Sequence, residues 1–373
     1  MAIREFEAVA PGMNRWVILG KNRPLHYIKS DQVGFLSINK AKSLVREKEY
    51  GAVVIHGLDS ALPLLEDISE DKKVVWLGWG YDYYGRLLSQ AFPDGLYLRT
   101  TKSLIATAPK RPFIRRLVSA GKSAIKKAIG RQVTYSPRLL GRVDIFSPVL
   151  DIEYQMACDM NPWFKPEYTT WNYGSAEEDF YTAGVDGHPL GGNILVGNSA
   201  TPENNHLELF EILRRHIDLT GRNIIVPLNY GDPWYKEKII SIGHGMFGAQ
   251  FVPLTDYMEK DAYIHLLHSC GHVFMNHLRQ QALGNICIMM LKGAKVYMNS
   301  ASPLYRWLEN KGAIIQSLSD FSEKPECSIL RPLSESQKAV NVKVINGHWG
   351  RDIQRQRTRK LIELALSMRL ADR

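Results

Sequence analysis

Between residues 193 and 312 one hydrophobic pattern recurs three times: a short apolar run, a loop of Gly, Asn and other polar residues, then a helical stretch. The first copy is Ile194-Leu195-Val196 followed by Gly197-Asn198-Ser199, opening into a helix expected over about 205–217. The second is Ile224-Ile225-Val226-Pro227-Leu228 with Asn229-Tyr230-Gly231 behind it. A third apolar run spans 271–277, passes through Arg279-Gln280-Gln281 and Gly284-Asn285, and leads into an apolar helix expected over 286–292. Residues 250–254 and 295–300 read as further strands, and 257–269 and 303–311 as helices. Short apolar strands alternating with helices predict an α/β fold with a parallel sheet, which binds ligands at the carboxyl ends of its strands. Polar loops after three such strands predict a nucleotide pocket along one edge.

The first half carries the same alternation more loosely. Strands are expected at 16–19, 52–57, 74–80 and 142–147, and helices at 60–65, 83–88 and 151–156. An aromatic and proline-rich passage over 161–174 breaks regular structure, and a Gly/Asp/His/Pro stretch over 184–192 marks a boundary. The chain exceeds one typical core, so two domains are expected, 1–185 and 186–350. A charged amphipathic helix follows over 351–371, with Leu361, Ile362, Leu364 and Leu366 on one face.

Composition adds one feature. The formal charge is +9, and between residues 99 and 142 there are twelve Lys or Arg and no Asp or Glu. Phe113, Ile114, Leu117, Val118, Ile125 and Ile129 lie among them at helical spacing. A basic amphipathic helix points to an anionic membrane surface, while a solvated basic face packed on the domain has the same pattern. No nucleic-acid recognition motif accompanies the charge, so no nucleic-acid partner is expected. No apolar run approaches eighteen residues, and the N-terminus lacks the apolar core of a secretory signal. Cys158, Cys270, Cys287 and Cys327 are scattered without metal-ligand spacing, which predicts a reduced, cytoplasmic protein with no metal site or cofactor.

Candidate chemistry follows from the strand ends. Helix N-termini and loop amides hold phosphates, and the segment Arg279, Gln280, Gln281, Gly284, Asn285 offers a cation, two amides and a glycine just before a helix. A Gly/Asn turn with an exposed Arg would have the same composition. Asn198 and Ser199 follow a strand directly, where N-capping also selects them, and Asn229 and Tyr230 sit in what is equally a plain turn. In the first half His56 ends a strand, and Asp82 follows Gly78-Trp79-Gly80. Either could act as a base, although an Asp after a Gly-rich loop also serves as a helix cap. The P-loop, HExxH, GxSxG and GxGxxG patterns are all missing.

These residues resemble the bacterial TDP-N-acetylfucosamine:lipid II N-acetylfucosaminyltransferase family, the 4-alpha-L-fucosyltransferases. The resemblance rests on Ile194 to Ser199 with Asn204 and His206, on Val226 to Gly231, and on Arg279-Gln280-Gln281 with Gly284. His56-Gly57 and Trp76-Leu77-Gly78-Trp79-Gly80-Tyr81-Asp82 look like the family's HG and WGxD segments. It covers about residues 50–320. Two departures are visible: the first fifteen residues read as no strand where the family opens with one, and the region beyond Phe321 matches poorly.

The resemblance implies a GT-B architecture, two Rossmann-like domains facing a central cleft, with the 351–373 helix expected to cross back to the first domain. It implies a metal-independent transferase that moves a fucosamine-type sugar from a TDP-linked donor to a polyprenyl-diphosphate-linked saccharide at the inner face of the cytoplasmic membrane. Arg279, Gln280, Gly284 and Asn285 would then lie near the diphosphate, with Asn198, Ser199, Asn229 and Tyr230 in the same pocket. Asn299 and Ser300 would reach the nucleoside, and His56 or Asp82 would face the acceptor. The alternatives are a non-catalytic GT-B-like protein that binds nucleotide or glycan, and a sugar-nucleotide epimerase on the same fold.

Overall fold

A computed structural model describes residues 1–25, 28, 30–109, 137–180, 190–323 and 330–367. Two compact units emerge: Met1–Ala91 with Pro109–Tyr173 and Asp352–Arg373, and Phe92–Ala108 with Gly174–Arg351. The boundary expected at 185/186 falls instead at 173/174, and Phe92–Ala108 joins the second unit. Most of the basic segment, 110–136, and most of the expected linker, 181–189, lie outside the described residues.

In the first unit, β1 (Trp16–Leu19) pairs in parallel with β2 (Val33–Leu36). A second parallel sheet runs β3 (Ala52–His56), β4 (Lys73–Leu77), β5 (Ile145–Ser147), β6 (Glu167–Tyr168), in chain order. β4 is buried along its whole length, as its unbroken Val-Val-Trp-Leu run requires of a strand covered on both faces. Its Lys73 escapes by reaching Leu364 O at 3.0 Å and Ser367 Oγ at 2.6 Å. The helix Arg351–Leu366 supplies Leu361 and Ala365 to a core that includes Phe6, Val75, Leu77, Ile145 and Trp171. Its Thr358 Oγ1 accepts from Trp171 Nε1 at 2.9 Å. The first fifteen residues contribute the helix Ala2–Val9, whose Phe6 enters this core.

The second unit is one six-stranded sheet. Its strands are β7 (Asn193–Val196), β8 (Ile224–Pro227), β9 (Phe251–Leu254), β10 (Cys270–Met275), β11 (Lys295–Met298) and β12 (Gln316–Ser317). All pairs are parallel, in the order β12-β11-β10-β7-β8-β9. The helices His206–His216, Pro233–Phe247, Lys260–His268, Leu283–Leu291 and Pro303–Asn310 make the successive crossovers. The order reverses between β7 and β10, which makes their carboxyl edge the switch point of the sheet. Val196, Ile224, Val226, Leu209, Phe210, Leu213 and Phe274 belong to one core beneath it. Cys270 and Cys287 are buried and free, filling apolar space.

Candidate functional site

At the carboxyl ends of β7, β8 and β9 lies a cavity of about 150 Å³. Four of the expected residues line it, Asn198, Asn229, Tyr230 and Asn285, together with Pro227, Leu254, Asp256, Met258 and Tyr263. The loops after β7 and β8 are laced together: Ala200 N donates to Tyr230 O at 2.7 Å and Asp232 N to Ala200 O at 3.0 Å. Gly231, at φ +124°, makes this approach possible, since a Cβ there would stand 2.4 Å from Ala200 C. Asp232 then caps the next helix by accepting from Tyr235 N at 2.8 Å. The Asn-Tyr-Gly-Asp-Pro stretch is thus both a turn and one wall of the cavity.

Behind Asn198 stands a dense, uncharged polar network. Asn198 N donates to Asn204 Oδ1 at 2.9 Å, and Asn198 Nδ2 to the Tyr230 hydroxyl at 2.8 Å. His277 Nε2 lies 2.9 Å from Asn204 Oδ1 and 3.2 Å from Asn198 Oδ1. Gln281 Nε2 donates to Asn198 Oδ1 at 3.0 Å and Thr201 Oγ1 at 3.2 Å. Ser199, fully buried, accepts from Asn204 Nδ2 at 3.2 Å and contacts the Thr201 hydroxyl at 3.0 Å. Gly197 sits at φ +65°, where a Cβ would meet Asn204 Oδ1 at 2.6 Å. Desolvation pushes the His277 imidazolium far below its ordinary range, with the nearby Arg279 and His206 adding to it. Burial likewise lowers His206 to about 3. Both rings are therefore neutral at physiological pH.

The loop after β10 brings in the remaining residues. Arg279 is engaged by Glu203: Nε donates to Oε2 at 2.7 Å, and a second guanidinium nitrogen stands at the same distance. A third contact runs from Arg279 to Gln280 O at 2.8 Å. Gln280 is buried rather than lining the cavity. Ala282 adopts φ +61°, the left-handed region, and begins the helix Leu283–Leu291 with no side-chain cap. Gly284 and Asn285 occupy its first turn, and Asn285 Nδ2 donates to Tyr263 OH at 3.2 Å. Asn299 does not turn towards the cavity. Its Nδ2 donates to Asn276 Oδ1 at 2.9 Å, and its Oδ1 accepts from Ala301 N at 3.0 Å. Ser300 is exposed in the turn beyond β11.

In the first unit His56 ends β3, with its Nδ1 2.6 Å from the Tyr173 hydroxyl. The rings of Phe6, Trp16, Trp171 and Tyr173 surround it, with centroids 5.7–6.3 Å away. Burial among them lowers His56 to about 4, so it too is neutral. Asp82 is wholly buried and points inward. It accepts from Leu58 N at 3.1 Å, Trp76 Nε1 at 2.8 Å and Trp79 N at 2.9 Å. Burial raises its acid above the ordinary range despite these three donors. This is the geometry of a staple joining the loops after β3 and β4, not of a carboxylate presented to a ligand.

Two comparisons bear on this arrangement. Residues 182–324 match the family described as 4-alpha-L-fucosyltransferase glycosyl transferase group 56. The fold is that of GT-B glycosyltransferases. Sucrose-phosphate synthase from Thermosynechococcus elongatus superposes with a TM-score of 0.59 at 9% identity, covering 97% of this chain and 92% of that one. A structure described as trehalose-6-phosphate from E. coli bound with UDP-2-fluoro glucose gives 0.57 at 9% identity, covering 94% and 91%. The alpha,alpha-trehalose 6-phosphate synthase of Burkholderia multivorans gives 0.52 at 10% identity, covering 84% and 69%. The family match and the fold together make this chain a glycosyltransferase.

Several residues of this glycosyltransferase escaped the site expected from sequence. Tyr263 falls inside the helix expected over 257–269, yet its hydroxyl meets Asn285 at the cavity. Asp256 and Met258 lie in the loop after β9, which carries no Gly/Asn signature. Asn204, Asn205 and His277 were visible as polar residues beside strand ends, which is the signal that could have found them. Asn205 is the clearest: at φ +50° its Nδ2 donates to Asn276 O at 3.0 Å, tying the β7 loop to the β10 loop.

Proposed function

We propose that this glycosyltransferase takes a nucleoside-diphosphate sugar into the cavity at the ends of β7, β8 and β9. The observation that carries this reading is the convergence of Asn198, Asn229, Tyr230 and Asn285 on one cavity beside the uncapped N-terminus of Leu283–Leu291. Three segments far apart in sequence supply them: the loops after β7 and β8 and the first turn of that helix. Backbone N–H groups and the helix dipole favour an anion at such an end, so the diphosphate rests there. That charge stabilisation serves the leaving group without a metal ion. The family's sugar chemistry favours a TDP-linked, fucosamine-type donor, and its acceptor class favours a lipid-linked saccharide at a membrane surface. The bound UDP-2-fluoro glucose of the E. coli structure makes UDP the other nucleotide to test. His56, neutral and hydrogen-bonded to Tyr173, is the candidate to take the acceptor's proton. That role requires Nδ1–H to donate to Tyr173, leaving the Nε2 lone pair as the base.

Calorimetric titration of the purified protein with TDP, UDP, GDP and CMP tests the proposal. A selective response to one nucleoside diphosphate is expected, with stabilisation that grows with ligand concentration, after which lipid-linked acceptors are added to look for transfer. Silence across the panel would leave a non-catalytic GT-B-like protein as the better reading.

A further inference from the structure

The loop after β4 presents two aromatic rings to solvent. Trp79 is 44% exposed and Tyr81 59%, although β4 itself and the tyrosines that follow, Tyr83 and Tyr84, are buried. Gly57, the residue after His56 at the end of β3, brings the two rings together. A Cβ there would stand 2.7 Å from the Tyr81 hydroxyl and 3.5 Å from Trp79 Cδ1, so both side chains close over the residue next to His56. Trp79 also stacks on Tyr173, with centroids 4.1 Å apart and planes at 30°, and the Tyr173 hydroxyl reaches His56 Nδ1. With one face of the indole covered in this way, the exposed part of the ring is its other face and rim.

Exposed tryptophan and tyrosine rings side by side at the carboxyl ends of parallel strands are placed to meet a ligand. The loop that carries them is fixed. Asp82 accepts from Trp79 N, Leu58 N and Trp76 Nε1, and Tyr83 N donates to Gly80 O at 3.2 Å. Little ordering is then left to be done when a ligand settles there. The groups around the rings are polar. Asp59 and Arg86 pair at 2.8 Å, and the Tyr81 phenol, raised by burial with Asp82 and Asp59 nearby, keeps its proton. Flat rings with a hydrogen-bonding rim match a pyranose, whose C–H bonds gather on one ring face while its hydroxyls point outward. A lipid chain would leave that rim unpaired. We propose that Trp79 and Tyr81 form a stacking subsite for a pyranose ring of the acceptor saccharide, beside His56. The inference rests on the reading above that His56 faces the acceptor.

The test uses the full chain, nitrogen-labelled for NMR, with the Trp79 indole signal identified by its loss in Trp79→Phe. Cellobiose and the methyl glycosides of glucose, galactose and N-acetylglucosamine are titrated into wild type, Trp79→Phe, Trp79→Ala and Tyr81→Ala. At least one saccharide is expected to shift the Trp79 indole signal and to receive saturation from the protein on the C–H protons of one ring face. Its affinity should fall about tenfold in Trp79→Ala, less in Tyr81→Ala, and least in Trp79→Phe, which keeps an aromatic face. Asp82 holds Trp79 through the backbone, so denaturant midpoints should stay near that of wild type. A saccharide that shifts signals around His56 and Tyr173 but binds all four proteins alike would overturn the stacking subsite and leave the acceptor reading standing. If no saccharide shifts any signal of the first unit, that reading fails and takes this inference with it. Loss of binding to phosphatidylethanolamine–phosphatidylglycerol vesicles in Trp79→Ala, with saccharide affinity unchanged, would make the rings a membrane contact instead.

Discussion

Asp82 shows how a residue's environment decides its role. The aspartate that follows the Gly-rich loop after β4 was a candidate base, but its two oxygens take three donors inside the first unit. Removing it leaves Leu58 N, the Trp76 indole and Trp79 N unmatched. Asp82→Ala is expected to destabilise the protein by about 3 kcal/mol, measured by denaturant unfolding. Lost transfer with unchanged stability would instead return Asp82 to the chemistry. Arg279 presents the converse case, because the cation expected at the diphosphate is already matched by Glu203 in a part-buried, charge-assisted pair. A diphosphate must compete with that carboxylate. Glu203→Gln should therefore tighten nucleoside-diphosphate binding several-fold, and Arg279→Ala should weaken it tenfold or more, both by calorimetry. Equal affinities in all three proteins would make the pair purely structural.

At the scale of elements, the helix Leu283–Leu291 carries the argument, since its first turn lies at the cavity and no side chain caps it. Asn285→Asp separates its two roles. A carboxylate in the first turn favours the dipole and should leave stability unchanged or raise it by about 0.3–1 kcal/mol. The same charge repels a diphosphate, so nucleotide affinity should fall tenfold or more. Affinity that holds while stability rises would place the diphosphate elsewhere. Elements were unevenly legible. The strands of the second unit could be read from their apolar runs, whereas the helix Glu335–Trp349 was missed because its apolar residues show little one-sided spacing. Its one clear signal is the capping box, in which Ser334 Oγ accepts from Gln337 N and Gln337 Oε1 accepts from Ser334 N.

Across the whole molecule, neutral buried histidines link stability to pH. His56 and His272 are lowered to about 4 and His206 to about 3, in each case mainly by desolvation. The unfolded chain protonates these rings near 6.5, so below that pH it binds more protons than the native state does. Stability is then fully present above about pH 6.5 and is lost as pH falls towards 4, by on the order of 3 kcal/mol per histidine. Denaturant midpoints at pH 7.5, 6.5, 5.5 and 4.5 should fall steadily below 6.5. A flat profile over that range would mean that these rings are solvated and free to protonate.

The alternation of apolar runs with polar loops determined the parallel second sheet and the strand ends that carry polar residues, because burial and backbone pairing are short-range demands written into local composition. It also brought Asn198, Asn229, Tyr230 and Asn285 into consideration, from three separate segments of the chain. Their roles were decided only in three dimensions. Strand order, with β10 beside β7, puts His277 and Gln281 against Asn198, and burial turns Asp82 inward while Glu203 meets Arg279. A residue's type fixes what it can bond to. Which partner it meets depends on contacts between loops tens of residues apart, and no local pattern encodes those.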